Sequence, residues 1–138
     1  MYKTILIPLD ATEADATILA HIKPLARLCG AKLVLMHVAD GWAARRYGPD
    51  AVSEEVTEDH AYLARLKQEL AAEGLIVEAE LAYGEPATEI IKWIDEKGCD
   101  LVAMSTHGHR FLADLFYGST ANKLRHELTI PILMLRVK

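Results

Sequence analysis

Residues 3–38 read KTILIPLDATEADATILAHIKPLARLCGAKLVLMHV, and the fold turns on how this stretch is parsed. Its two ends, KTILIPL and AKLVLMHV, are continuous apolar runs rich in branched side chains. Such runs suit strands covered on both faces, not alternating strands with one wet side. Between them Ala16, Leu19, Ala20, Leu25 and Leu28 recur at helical spacing from Thr12 to Cys29, and Gly30 supplies the stop. The stretch is therefore a β-α-β unit. Pro24 falls inside its helix, where a ring without an N–H predicts a kink or a loosened turn.

The same alternation continues along the chain. DGWAARRYGPDAVSEE is a loop by its Gly and Pro content, and the next helix is expected from Ser53 to Glu73. LIVEAELAYG alternates enough to be a more exposed strand. EPATEIIKWIDEKG is a short helix with Pro86 at its start and Gly98 at its end. CDLVAMS is the fourth strand, residues 119–128 form the last helix, and TIPILMLRV is the last strand. Strands alternating with helices imply an α/β fold: a doubly wound five-stranded parallel sheet of strand order 3-2-1-4-5, with helices on both faces in a three-layer sandwich. Residues 1–138 are expected to form one domain. In such sheets a crevice opens at the carboxyl ends of the strands where the order reverses, here after PLD (Pro8, Leu9, Asp10) and after MSTHG.

About half the residues, 51%, are apolar, enough for a substantial core. The short apolar run at the N-terminus reads as a strand, neither signal peptide nor membrane span, so a soluble cytoplasmic protein is expected. Cys29 and Cys99 lie far apart without a C-x-x-C pattern, and reduced thiols are expected. The formal net charge of -5 argues against a nucleic-acid surface. Charge is uneven, however: residues 50–80 hold nine acids against Arg65 and Lys67, whereas residues 101–138 hold five bases against Asp114 and Glu127. The C-terminal third is the better place for an anion.

That third contains STHGHRFLADLFYGST, residues 105–120. A phosphate chain needs several unpaired backbone N–H groups, and a helix N-terminus offers them with a favourable dipole. Gly118, Ser119 and Thr120 supply such an end, and Gly108 lies across the loop. An ordinary strand-to-helix connection would use the same residue types. G-x-G-x-x-G and the G-x-x-x-x-G-K-[ST] loop are both absent, which removes the usual dinucleotide and NTPase readings. His107 and His109 form an H-x-H, but no third zinc ligand is specified, so no metal site is assigned. Asp10 suits a helix cap as well as a ligand contact, and Thr12 suits a cap. Trp93, Ile90 and Ile94 read as core, and His37 as a surface or satisfied core residue. Trp42, Arg45, Arg46 and Tyr47 suit a solvated loop, a lid or a partner surface. No Ser-His-Asp or Cys-His arrangement and no carboxylate pair is marked by spacing, so no catalytic residue is named.

The opening strand ending in aspartate, LVLMHV, DLVAMSTHG, the glycine-bracketed loop and the closing IPILMLR together resemble the universal stress protein family, over essentially the whole chain. Nucleotide-binding members carry G-x2-G-x9-G-[ST] after the fourth strand, and Gly108, nine residues, then Gly118-Ser119 fit its latter part. Ser105 stands where the motif has its first glycine; its side chain would either crowd the ligand or contact it. Where many members read DGS, this chain has Asp10-Ala11-Thr12. The resemblance implies an adenine-nucleotide-binding regulatory protein of the stress response, taking ATP, AMP or another adenine nucleotide, with Mg2+ accompanying the nucleotide. It implies that Pro8, Leu9 and Asp10 border the adenosine and that Val38 packs near the adenine. Met104 and Ser105 would line the ribose and phosphate region, and Gly108, Gly118, Ser119 and Thr120 would hold the phosphates. His109 and Arg110 would add charge from their place beside Gly108. It further implies a homodimer through the last strand, Ile130 to Val137; the charge and the short apolar runs lead us to expect no nucleic-acid or membrane partner. The alternative is a nucleotide-free, dimeric partner-binding module in which Ser105 has weakened binding. Any ATP hydrolysis should be slow, for want of a committed base.

Overall fold

The computed structural model describes residues 1–39, 54–105, 124 and 126–137. These contain β1 (Thr4–Pro8), α1 (Asp15–Cys29), β2 (Lys32–Ala39), α2 (Glu54–Ala72), β3 (Ile76–Tyr83), α3 (Pro86–Lys97), β4 (Leu101–Ser105) and β5 (Ile132–Leu135). The five strands form one parallel sheet of order β3-β2-β1-β4-β5, as the sequence predicts.

Strand alternation divides the core into two layers. Ile5, Ile7, Leu9, Leu33, Leu35, Leu101 and Ala103 meet α1 and α2 through Ile18, Leu19, Ile22, Leu63 and Leu70. Leu6, Val34, Met36, Val38, Val102 and Met104 face the other way, against Ala87, Ile90, Trp93 and Ile94 of α3 and against Leu124. Because β1, β2 and β4 are buried on both faces, their sequences carry no polar alternation. β3, on the sheet edge, shows Glu78 and Glu80 among its apolar residues, and Lys97 reaches both carboxylates. The Lys32 ammonium, bonded to Glu78, holds that carboxyl below its ordinary range.

Local chemistry sets the element ends. α1 runs through Pro24 without a break and stops at Gly30, whose φ of 65° is the left-handed turn that glycine adopts at little cost. α3 begins at Pro86, and the Glu85 carboxylate before it accepts the N–H groups of Ala87 and Thr88 at 3.2 and 2.8 Å. The Asp100 carboxylate fastens the start of β1, accepting the N–H groups of Lys3 and Thr4. Of the last helix, Leu124, His126 and Glu127 are described as helical, and the Leu128 N–H donates to the Leu124 carbonyl at 3.0 Å. Cys99 is buried, which pushes its thiol up to about 11, so it stays protonated near neutral pH.

Two elements are shorter than expected. The 12–29 periodicity becomes a helix from Asp15, because residues 12–17 make tight bonds to the third residue back: Asp15 N–H to Thr12 O, Ala16 N–H to Glu13 O and Thr17 N–H to Ala14 O. β5 has four residues, beginning just after Pro131, which has no N–H to donate.

Candidate functional site

Strand register brings the first half of the expected site together. Pro8 pairs with Met36 on β2, so two residues on, Asp10 falls level with Val38. On the other side Leu6 pairs with Val102 of β4, which sets Pro8 level with Met104 and Leu9 level with Ser105. Pro8, Leu9, Asp10, Val38, Met104 and Ser105 thus lie within three successive residue levels at the carboxyl ends of three neighbouring strands, where the order reverses. Val38 and Met104 lie on the α3 side of the sheet, in the same layer as Leu124 of the last helix. Leu9 lies on the α1 side. Gly108, His109, Arg110, Gly118, Ser119 and Thr120 lie outside the described residues, as do His107 and the Trp42–Tyr47 group.

Ser105 is buried, and its hydroxyl donates to the Ala14 carbonyl at 2.9 Å. The side chain at the position of the missing glycine therefore ties the end of β4 to the first turn of α1. A neutral buried hydrogen bond contributes about 1 kcal/mol. Ser105→Ala is expected to lower the unfolding free energy by about that amount, read from the urea midpoint; an unchanged midpoint would show the tie to be dispensable.

The turn after β1 is a dense polar knot. Asp10 and Asp15 are both buried. The Asp10 N–H donates to Asp15 Oδ1 at 2.8 Å and the Ala11 N–H to Asp15 Oδ2 at 2.9 Å. Thr12 Oγ1 accepts the Ala14 N–H at 3.3 Å and donates to Asp10 Oδ2 at 3.2 Å, so Thr12 caps the turn while touching the aspartate. The Tyr62 hydroxyl, from α2, donates to Asp15 Oδ2 at 2.5 Å. Burial raises the Asp15 carboxyl, against the pull of the Tyr62 hydroxyl and the two amides. Burial, with the charge of Asp15 beside it, pushes the Tyr62 phenol up as well, so it remains a donor.

Ala11 has a φ of 59°, the only non-glycine residue in the left-handed region among the described residues. This is the position at which many relatives by resemblance carry the glycine of DGS. An alanine there bears a Cβ penalty of about 1–2 kcal/mol, partly returned by the smaller entropy of its unfolded chain. Ala11→Gly should raise stability by about 0.5–1 kcal/mol, measured by urea denaturation; a loss instead would mean that the alanine methyl contributes packing.

His37 ends the apolar run of β2 as a buried, bonded residue. Its Nδ1 lies 2.8 Å from the Leu9 carbonyl, an acceptor, so Nδ1 carries a proton. Nε2 lies 3.3 Å from Oδ2 of Asp59, itself buried on α2. Sequence reading singled out neither Asp15 nor the Asp59–Tyr62 pair. The one local signal was a histidine inside an otherwise apolar strand. Among the described residues no group of His, Cys, Asp and Glu is arranged to hold a metal ion, and no helix is long and apolar enough to cross a membrane. A cleft of about 560 Å3 lined by described residues runs between α2 and the edge strand β3, past His60, Lys67 and Tyr83.

Residues 1–136 match the profile of the Universal stress protein family. Universal stress protein MJ0577 of Methanocaldococcus jannaschii is 26% identical over 157 residues, covering 100% of this chain and 97% of that protein. The solved structure of MJ0577 superposes with a TM-score of 0.79 at 27% identity, over 100% of this chain and 98% of the other. A universal stress protein in complex with cAMP superposes at 0.74, with 17% identity and 99% coverage of both chains. The Archaeoglobus fulgidus universal stress protein in complex with dAMP does so at 0.69, with 19% identity and coverage of 96% and 97%. A profile match across residues 1–136, beside a superposition over the whole chain, leaves one assignment: this chain belongs to the universal stress protein family.

Proposed function

We propose that the chain binds an adenine nucleotide in the crevice between β1 and β4 and acts as a small dimeric regulatory protein of the stress response, not as a dedicated enzyme. The observation that carries this reading is the gathering of Pro8, Leu9, Asp10, Val38, Met104 and Ser105 within three successive residue levels at the strand-order reversal. Asp10 supplies a carboxylate for a ribose hydroxyl, and Val38 and Met104 supply apolar surface for the base. Gly108, His109, Arg110, Gly118, Ser119 and Thr120 follow β4 in sequence and supply amides, hydroxyls and positive charge for phosphate. Two family members of the same fold are in complex with cAMP and dAMP, which supports a nucleoside monophosphate; ATP accompanied by Mg2+ is the larger ligand of the same class. Asp10 has no exposed surface, so a ligand reaching its carboxylate must displace the atoms that cover it.

The bond from Ser105 to Ala14 favours this reading over a nucleotide-free module, since the serine hydroxyl is engaged with α1. Thermal unfolding with and without millimolar AMP or ATP and Mg2+ tests it. A ligand held only by the native state raises the midpoint, and no rise with either nucleotide would move the assignment to the nucleotide-free module.

The proposed dimer forms through the last strand, Ile130 to Val137, which contains β5. This edge strand pairs with β4 on one side, and its Met134 is 48% exposed with Ile132, Leu133 and Leu135 half-buried. An open apolar edge is a liability that a second copy would cover. Sedimentation at micromolar concentration should give a dimer for the wild type and a monomer for Met134→Lys. A monomeric wild type would remove the dimer from the proposal.

A further inference from the structure

We propose that Asp59 and Tyr62, one turn apart on α2, brace the turn that carries Asp10, acting through His37 and Asp15 as positioning residues of the nucleotide site. This rests on the nucleotide reading above.

The turn is gripped at three successive backbone groups. Leu9 presents its carbonyl to His37 Nδ1 at 2.8 Å, and the Asp10 and Ala11 N–H groups both point at the Asp15 carboxylate. Successive amides that converge on one anion form a nest, a concavity that elsewhere holds a phosphate. Here the anion is the chain's own Asp15, so the nest serves to shape the turn. That shape includes the left-handed Ala11, the alternation of backbone hand that a nest requires.

Neither grip stands alone. His37 meets Asp59 at 3.3 Å, and Asp15 takes the Tyr62 hydroxyl on the same oxygen that accepts the Ala11 amide. Residues three apart on a helix share a face, so a single docking of α2 sets both. The hydrogen bond between Tyr62 and Asp15 spans 47 residues of sequence and joins α2 to the first residue of α1, whose carboxylate accepts the two amides of the turn after β1. A carboxylate two residues beyond β1 would otherwise sit on a loop free to sample several turns. Held this way, Asp10 is oriented before a ligand arrives, and binding loses less conformational entropy. Asp15→Asn probes the grip sharply. One amide oxygen cannot replace both carboxylate oxygens, so an NH2 donor must face either the Asp10 N–H or the Ala11 N–H. Tyr62→Phe is gentler, since it keeps the ring and removes only the hydroxyl.

The test combines amide hydrogen exchange by NMR with calorimetric titration of AMP, at a temperature where each variant is fully folded. In Asp15→Asn the Asp10 and Ala11 amides should exchange at least tenfold faster, and AMP affinity should fall tenfold or more. Tyr62→Phe should move both in the same direction by about threefold, and it carries the test alone if Asp15→Asn does not fold. Thr88→Ala, which removes a hydroxyl bond at the start of α3, is the control and should leave both unchanged. If the wild type binds AMP and both turn variants bind it within twofold of wild type, the brace is not a positioning device and the nucleotide reading survives. Unchanged exchange at Asp10 and Ala11 in Asp15→Asn would also overturn the brace. A wild type that binds no adenine nucleotide overturns the nucleotide reading, and the brace falls with it.

Discussion

Replacing His37 with alanine is expected to lower the unfolding free energy by about 3–5 kcal/mol, the range found when one partner of a buried ionic pair is removed. The imidazole is 1% exposed and bridges two groups: the Leu9 carbonyl through Nδ1 and the Asp59 carboxylate through Nε2. Deleting the ring withdraws a hydrogen bond from the Leu9 carbonyl, takes the imidazole from a buried carboxylate, and opens a void between β2 and α2. Each of the three acts in the same direction. Urea denaturation reads the sum, and a loss below about 1 kcal/mol would place His37 among surface side chains.

A second large loss, about 3–5 kcal/mol, is expected for Trp93→Ala. Trp93 is 6% exposed and packs with Ile90, Ile94 and Ala87 under the layer that contains Leu6, Val34, Val38 and Met104. Lys97 Nζ stands 5.6 Å from the ring centre, a cation–π contact on its outer side. Removing the indole leaves a cavity in the layer that also holds Val38 and Met104, the two residues assigned to the base, so AMP affinity should weaken alongside stability. Trp93→Phe keeps most of the volume and should recover much of the loss. Equal destabilisation by the two substitutions would mean that the indole is held by its polar contacts instead of by packing.

The fold was legible because its signals are local. Buried strands spell themselves as unbroken apolar runs, KTILIPL and AKLVLMHV, and Gly30, Pro86 and Gly98 mark helix ends by conformational chemistry that needs no tertiary partner. Strand order followed from the commonest doubly wound arrangement, which puts the first strand in the middle of the sheet. Boundaries were less legible where a neighbour decides them: Thr12 bonds Ala14 and Asp10, which delays the regular helix until Asp15, and Pro131 shortens β5. Within the site, the strand-end residues were legible through position and resemblance. The brace was not. Tyr62 and Asp15 are 47 residues apart and obey no spacing rule, and Asp59 looks like any acid on an acidic helix face until the fold buries it against His37. Ser105 shows the same limit. Its hydroxyl is tied to a carbonyl 91 residues earlier in the chain, a partner that no local spacing marks.

Titration of the labelled protein with AMP, followed residue by residue in a 15N NMR spectrum, tests the nucleotide assignment most directly. The account predicts shifts confined to the carboxyl ends of the central strands, at Leu9, Asp10, Val38, Met104 and Ser105, with Lys3, Asp100 and Ile76 at the opposite end of the sheet unmoved. A spectrum unchanged at millimolar AMP and ATP, or shifts gathered instead in the cleft of His60, Lys67 and Tyr83, would contradict it.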